Sequence, residues 1–280
     1  MKNLDHFALA DALLPSVLKA ARVEMHYFEA GVAIEKKADS SPVTAADREA
    51  EQILLDGLWA AASGVPVVAE ESASAGQLPM PGTAFFLVDP LDGTREFTSH
   101  SGEFTINIGL VVGDRPVFGV IYAPVFQRLF VTIGPGHAVE THISPASCVT
   151  SLKDCALRQL KTRTPDPDAL IVLESRSHRT PATEAYLRGF RVGSEKRSGS
   201  SLKFCLIAAG EADMYARLGP TMEWDTAAGQ AILEAAGGAV TRLSGAPLTY
   251  GKVDVDYLNP HFVAWAGAPM QPRINVAPMA

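Results

Sequence analysis

An apolar run that ends in acids constrains this chain more than any other feature. Residues 84–88, Ala-Phe-Phe-Leu-Val, lead directly into Asp89-Pro90-Leu91-Asp92-Gly93-Thr94. A short continuous apolar run bounded by turn residues reads as a buried strand. At its end Pro90 breaks the hydrogen-bond ladder and Gly93 permits a tight bend. That bend can aim Asp89, Asp92 and the Leu91 carbonyl at one point, and three hard oxygens suit Mg²⁺ or Mn²⁺. If a helical turn follows, the amides of Gly93 and Thr94 are free donors for a phosphate oxygen. The competing reading is a surface turn, because Asp, Pro and Gly are the usual turn residues.

Two further acids end apolar elements. Val67-Val68-Ala69 runs into Glu70-Glu71, and Asp225 in Glu223-Trp224-Asp225-Thr226-Ala227-Ala228-Gly229 stands where a helix begins. Singly, Glu70 reads equally as a solvated edge-strand acid and Asp225 as a plain N-cap. Together they are harder to explain without a cation to offset their repulsion. Asp47 follows Thr44 by three residues, which fits a capping box.

The charge balance points the same way. Lys and Arg number 24, Asp and Glu 31, and the net charge is −7. That argues against a nonspecific nucleic-acid coat, which would normally carry a basic surplus. A phosphorylated small molecule remains compatible, provided a metal supplies positive charge. The 47% apolar content of the 280 residues is that of a globular protein with one large domain or two modest ones. The first 14 residues carry Asp5 and Asp11 and do not resemble a secretory signal. No stretch of about 18 uncharged apolar residues occurs, so no spanning helix is expected. Peripheral membrane association, including at the inner membrane, stays open. Cys148, Cys155 and Cys205 lack metal-site spacing and suit a reducing cytoplasm.

Periodicity predicts helices over 7–29, with Pro15 early or kinking, and at the end of 40–61. It predicts strands at 65–69 and 84–88, and a hairpin of 105–112 and 117–123 closed by a four-residue turn at 113–116. Residues 129–133 are expected to continue that sheet. The Pro-rich stretch 134–168 reads as an irregular subdomain connection. Beyond it, strands at 169–173, 213–218, 240–242 and 262–265 alternate with helices at 183–188, 201–209 and 225–236. Mixed strands, helices and a hairpin indicate layered α and β. The expected division is an N-terminal α+β subdomain, 1–133, a C-terminal α/β subdomain, 134–266, and a disordered tail, 267–280.

The Glu70-Glu71 pair, the Asp89-Pro90-Leu91-Asp92-Gly93-Thr94 loop and the Trp224-Asp225-Thr226-Ala227-Ala228-Gly229 string stand in order. In this they resemble the metal-dependent, lithium-sensitive phosphatases that include inositol monophosphatase and fructose-1,6-bisphosphatase. The likeness covers roughly residues 36–265. It implies an α+β fold, a layered αβαβα sandwich. Within that superfamily the longer strings 39–47, 91–97, 102–108, 175–178, 199–204 and 217–221 resemble the 3'(2'),5'-bisphosphate nucleotidase branch.

The resemblance implies an Mg²⁺-dependent phosphomonoester hydrolase that removes the 3'-phosphate of adenosine 3',5'-bisphosphate. The alternative is an inositol or sugar-phosphate phosphatase. Glu70, Asp89 and the Leu91 carbonyl would hold one ion, and Asp89, Asp92 and Asp225 a second. A third ion, substitution by Mn²⁺ and inhibition by Li⁺ are further implications. Asp47, Glu70 and Thr94 become catalytic residues that position the attacking water. Asp92, Gly93, Thr94, His178, Ser200, Lys203, Arg217 and Asp225 become substrate contacts, with Lys203 and Arg217 natural partners of a second phosphate. The implied partner is a small nucleotide, bound by a monomer or homodimer. Ser200-Ser201-Leu202-Lys203 also matches the SxxK string of serine enzymes, but no companion motif accompanies it.

Overall fold

The computed structural model describes residues 4–31, 35–36, 42–177 and 179–273. Helix α1 (His6–Ala30) starts at Asp5, whose carboxylate accepts the Ala8 N–H, and it accommodates Pro15 in its interior. A two-residue pair, β1 (Glu35–Lys36) and β2 (Pro42–Val43), precedes α2 (Ala45–Ala61). The Thr44–Asp47 capping box is present at the start of α2. Then come β3 (Val67–Ala69), α3 (Glu70–Ser74), β4 (Ala84–Asp92) and α4 (Thr94–Thr98). An antiparallel meander follows: β5 (Thr105–Val112), β6 (Arg115–Ala123), β7 (Arg128–Gly134), β8 (His137–His142) and β9 (Arg158–Gln159). Strands β3 to β9 form one sheet in chain order, with β3 parallel to β4 and the other pairs antiparallel.

The second half builds a five-stranded sheet. Its elements are β10 (Leu170–Ser175), α5 (Pro181–Leu187), β11 (Val192–Ser198), α6 (Leu202–Ala208), β12 (Met214–Arg217), α7 (Ala227–Ala235), β13 (Ala239–Arg242) and β14 (Phe262–Trp265). The strand order is β11-β10-β12-β14-β13.

Alternation along β4 explains the layering. Phe86 and Val88 pack with Leu13, Val17 and Leu54 of α1 and α2 on one face. Phe85 and Leu87 face the opposite way, into a core shared with Phe204, Ile207, Ile232 and Leu233 of α6 and α7. That core continues to Tyr215, Phe262 and Ala264 of the second sheet. Tyr186 and Leu187 of α5 cover the far face over Leu170, Met214 and Trp265. The result is the αβαβα sandwich. Each fully buried Leu or Phe contributes about 1.5–3 kcal/mol. Among the described residues no helix is long and apolar enough to cross a membrane.

The structure corrects five expectations, the first at the hairpin, where Val112 pairs with Arg115 and two residues rather than four close the turn. Residues 134–168 are not only a connection, because β8 and β9 lie there and belong to the first sheet. Val139 and Ala138 point to opposite faces of that strand, which hides the alternation behind flanking His, Glu and Thr. Strand β11, with the sequence Val-Gly-Ser-Glu-Lys-Arg-Ser, was not expected; as an edge strand it keeps its charges in water. Pro90 does not end β4, which runs on to Asp92 through a register shift between Asp89 and Asp92. A proline is tolerated at such an irregularity because the ladder needs no N–H there. In the expected tail, Arg273 donates to Gly189 O at 2.7 Å and pairs with Asp168 at 2.8 Å. Residues 274–280 of that tail lie outside the described residues.

Candidate active site

The sheet and helix ends converge on one cavity of about 290 Å³. Glu70, Asp89, Leu91, Asp92, Gly93, Thr94, Ser200, Lys203, Arg217 and Asp225 all line it. Carboxylate oxygens of Glu70, Asp89 and Asp225 lie within 4.8 Å of one another, and this is the cluster of three metal-ligating side chains found among the described residues. These acids come from three elements: the start of α3, the irregular end of β4 and the turn before α7. Asp92 falls outside that 4.8 Å set but borders the same cavity.

Each acid is held. Asp89 Oδ1 accepts the Leu91 N–H at 3.0 Å, which turns the chain back on itself within the irregular stretch. Asp92 Oδ2 accepts the Ser201 N–H and the Ser201 hydroxyl, the latter at 2.6 Å, and Asn107 Nδ2 stands at 3.4 Å. Asp225 Oδ2 accepts the Met222 N–H at 2.8 Å. Asp225 does not cap α7; Thr226 occupies that position and makes no side-chain cap bond. Burial, then the charges of Asp92 and Glu70, push the Asp225 carboxyl well above the ordinary aspartate range. Like charges gathered in a partly desolvated site are the donor set of a hard divalent cation. The structure therefore contains a carboxylate cluster able to coordinate such an ion.

Thr94 and Asp47 meet across a separation of 47 positions. The Thr94 hydroxyl stands 3.4 Å from Asp47 Oδ1 and 3.4 Å from the Leu91 carbonyl. Asp47 Oδ2 accepts the Thr44 N–H at 2.8 Å and the Thr44 hydroxyl at 2.6 Å. Capping and contact with Thr94 are thus simultaneous, one for each carboxylate oxygen. Gly93 adopts φ 95°, a left-handed conformation that favours glycine, and a Cβ there would meet Glu103 O at 3.1 Å and Ser200 Cβ at 3.3 Å.

The cationic side of the cavity is also buried. Lys203 is 4% exposed, donates to Ser200 O at 2.5 Å and lies 4.9 Å from the Tyr215 ring centroid. Burial pushes its ammonium down to about 8, with Arg217 adding to the effect and Asp92 opposing it. Arg217 Nη2 donates to Pro220 O at 2.7 Å, whereas its buried Nε has no hydrogen-bond partner. A buried unpaired donor beside a cavity is a place for an anion. Ser200 holds a positive φ of 47° and accepts the Leu202 N–H. His178 lies outside the described residues.

Three residues near the acids were not among the expected site residues. Ser201 joins Asp92 to the Asp225 carbonyl through one hydroxyl. Asn107 links Asp92, Thr105 and Ser201. Glu51, 5% exposed on α2, accepts the N–H groups of Glu71 and Ser72 at 2.7 and 2.9 Å. It therefore caps α3 from another helix and orients the turn that carries Glu70. An acid on the buried face of α2 was the only sequence signal for it.

The family model of the inositol monophosphatase family matches residues 7–269. The 3'(2'),5'-bisphosphate nucleotidase CysQ of Escherichia coli K12 is 40% identical over 230 residues, covering 82% of this chain and 87% of that protein. The crystal structure of CysQ from Bacteroides thetaiotaomicron aligns with a TM-score of 0.77 at 36% identity, covering 96% of this chain and 100% of that one. The inositol monophosphatase of Anabaena aligns with a TM-score of 0.70 at 25% identity, covering 92% and 90%.

Proposed function

The chain belongs to the inositol monophosphatase family, and from that premise we propose that it is an Mg²⁺-dependent 3'(2'),5'-bisphosphate nucleotidase. It removes the 3'-phosphate of adenosine 3',5'-bisphosphate and releases AMP and phosphate. One observation carries the reading: the four candidate metal-binding acids, Glu70, Asp89, Asp92 and Asp225, and two buried cations line the same cavity. A bisphosphate needs both, the acids for the metal at the reacting phosphate and the cations for the other phosphate.

Hard oxygens and mutual repulsion fit Mg²⁺, or Mn²⁺ in its place. Glu70, Asp89 and the Leu91 carbonyl would hold one ion, and Asp89, Asp92 and Asp225 a second, with room in the reading for a third beside Glu70. Bound there, the ions supply charge stabilisation at the phosphoryl oxygens and a more acidic water. Asp47 takes the Thr94 hydroxyl proton as a hydrogen bond, so the Thr94 oxygen presents its lone pairs to a water. Glu70 and Thr94 orient that water for in-line attack. The water oxygen bonds to phosphorus as the bond to the 3'-oxygen breaks; one of the water's protons ends on the 3'-oxygen, which leaves as the AMP hydroxyl, and the other stays on the released phosphate. Amides of Gly93 and Thr94 bind the reacting phosphate. Lys203 and Arg217, with Ser200 and His178, hold the 5'-phosphate and the nucleoside.

Phosphate release tests this directly. The substrates are adenosine 3',5'-bisphosphate, its sulfated form, inositol 1-phosphate and fructose 1,6-bisphosphate, with Mg²⁺ and with added Li⁺. The bisphosphate nucleotide should be hydrolysed best, and Li⁺ should inhibit. Best activity on inositol 1-phosphate would move the assignment to an inositol or sugar-phosphate phosphatase. No metal-dependent release from any of them would overturn the enzyme reading.

A further inference from the structure

Two acids that this mechanism does not use tie the two halves of the site together, and the first of them also lines the cavity. Glu96 lies in α4, two residues after Thr94, and is 4% exposed. It accepts the Ser177 hydroxyl, and its Cγ would lie 2.7 Å from a Cβ on Gly199. Glu103 Oε2 accepts the Gly199 N–H at 2.9 Å and Arg176 Nε at 2.6 Å, while Oε1 accepts Arg176 Nη2 at 3.1 Å. Both acids belong to the segment that leaves the metal loop. Their partners belong to the segments that bring Ser175, Ser200 and Lys203 to the cavity. A separate tie, Ser201 to Asp92, fastens the start of α6 to the acids themselves.

We infer that Glu96 and Glu103 are positioning residues that set specificity for a phosphomonoester carrying a second phosphate. Glu103 holds the turn 198–200 through the Gly199 N–H, Glu96 holds Ser177 just past the strand that pairs with that turn, and the turn aims Lys203. The inference rests on the nucleotidase reading. Lys203 Nζ donates to the carbonyls of Ser198 and Ser200, so its direction follows that turn. Ser200 holds a left-handed φ that a non-glycine residue keeps only when its surroundings impose it. The Glu103 contact to the Gly199 N–H fixes the residue before it, while Thr105 and the Leu202 N–H hold the Ser200 hydroxyl. The Arg176 side chain is 45% exposed, so its ion pair adds little attraction by itself. Losing the carboxylate leaves the Gly199 N–H unpaired and frees the turn. The acids around the reacting phosphate keep their own tie through Ser201.

The test uses the full chain with Glu103→Ala and Glu103→Gln, assayed at saturating Mg²⁺ on adenosine 3',5'-bisphosphate and on inositol 1-phosphate. Deuterium uptake over residues 196–203 is measured alongside. Glu103→Ala should raise KM for the bisphosphate about tenfold and keep kcat within about twofold. KM for inositol 1-phosphate should not move. Glu103→Gln, which still accepts the Gly199 N–H, should restore most of the loss. Uptake should rise over 196–203 and not over 84–94. Equal changes on both substrates, or an unchanged KM for the bisphosphate, would overturn the inference. A wild-type protein inactive on the bisphosphate removes the nucleotidase reading alone. The clamp is then judged by exchange: uptake raised only at 196–203 sustains it, and unaltered uptake overturns it.

Discussion

Gly109 and Gly119 face each other across β5 and β6, and the first residues of α7 rest directly on the pair. A Cβ at 109 would lie 2.8 Å from Ala227 Cβ, and one at 119 would overlap the Ala228 carbonyl. Ordinary side chains there would lift α7 off the sheet, and Asp225 with it. Gly119→Ala should therefore destabilise the fold by about 1–3 kcal/mol. Urea unfolding measures that cost, and Mg²⁺ titration of the folded variant should show weakened metal affinity as well.

Removing one acid should separate chemistry from stability. Asp92→Asn keeps an oxygen for the Ser201 donors and relieves repulsion at Asp225. We expect at least about a hundredfold loss of kcat, with a melting temperature of the metal-free protein equal to or above wild type. Near-normal turnover would refute Asp92 as a metal ligand.

Glu51 offers a test of indirect positioning. Glu51→Ala removes the acceptor for two N–H groups at the start of α3 and loosens the turn that presents Glu70. The Mg²⁺ concentration for half-maximal rate should rise several-fold. Rates at saturating Mg²⁺ should recover to near wild type, which a general loss of fold would not allow.

The lowered Lys203 pKa fixes a pH dependence. Burial pushes the group down to about 8, so its positive charge is present below that pH and lost as pH rises through it. KM for adenosine 3',5'-bisphosphate should climb above about pH 8. Lys203→Met should show a high KM that is flat over the same range.

Metal addition should stabilise the fold in a pH-dependent way. The raised Asp225 carboxyl binds its proton at higher pH than an ordinary aspartate, and that proton competes with a cation. Mg²⁺ should raise the melting temperature at neutral pH by mass action, and the increment should shrink as pH falls. EDTA should abolish it. An increment that is constant with pH would contradict proton competition at the cluster.

Much of the site was legible because its residues are adjacent in sequence. Asp89, Leu91, Asp92, Gly93 and Thr94 share one loop, and the apolar run before them identified its strand. Glu70 and Asp225 were legible for a related reason, since each ends an element whose interior must be apolar. Strand β11 and residue Glu51 were not, and Glu96 and Glu103 stood in the strings 91–97 and 102–108 without a role. Their environment is made by partners 20 to 96 positions away, and no local pattern records such a distance. Pro90 misled in the opposite direction, because a ladder irregularity removes the need for the N–H that proline lacks.

The sequence by itself determined the inventory: acids at strand and helix ends, glycines where backbone must bend or approach, and two cations suited to phosphate. Only the tertiary structure decided their meeting. Asp225 reaches Asp89 because two glycines let α7 lie against the sheet. Thr94 reaches Asp47 because α2 packs on the same sheet's other face. Lys203 acquires its depressed pKa from burial, a property of the packed layers rather than of lysine. Carboxylates repel and would separate in a flexible chain; the close-packed sandwich is what holds them together.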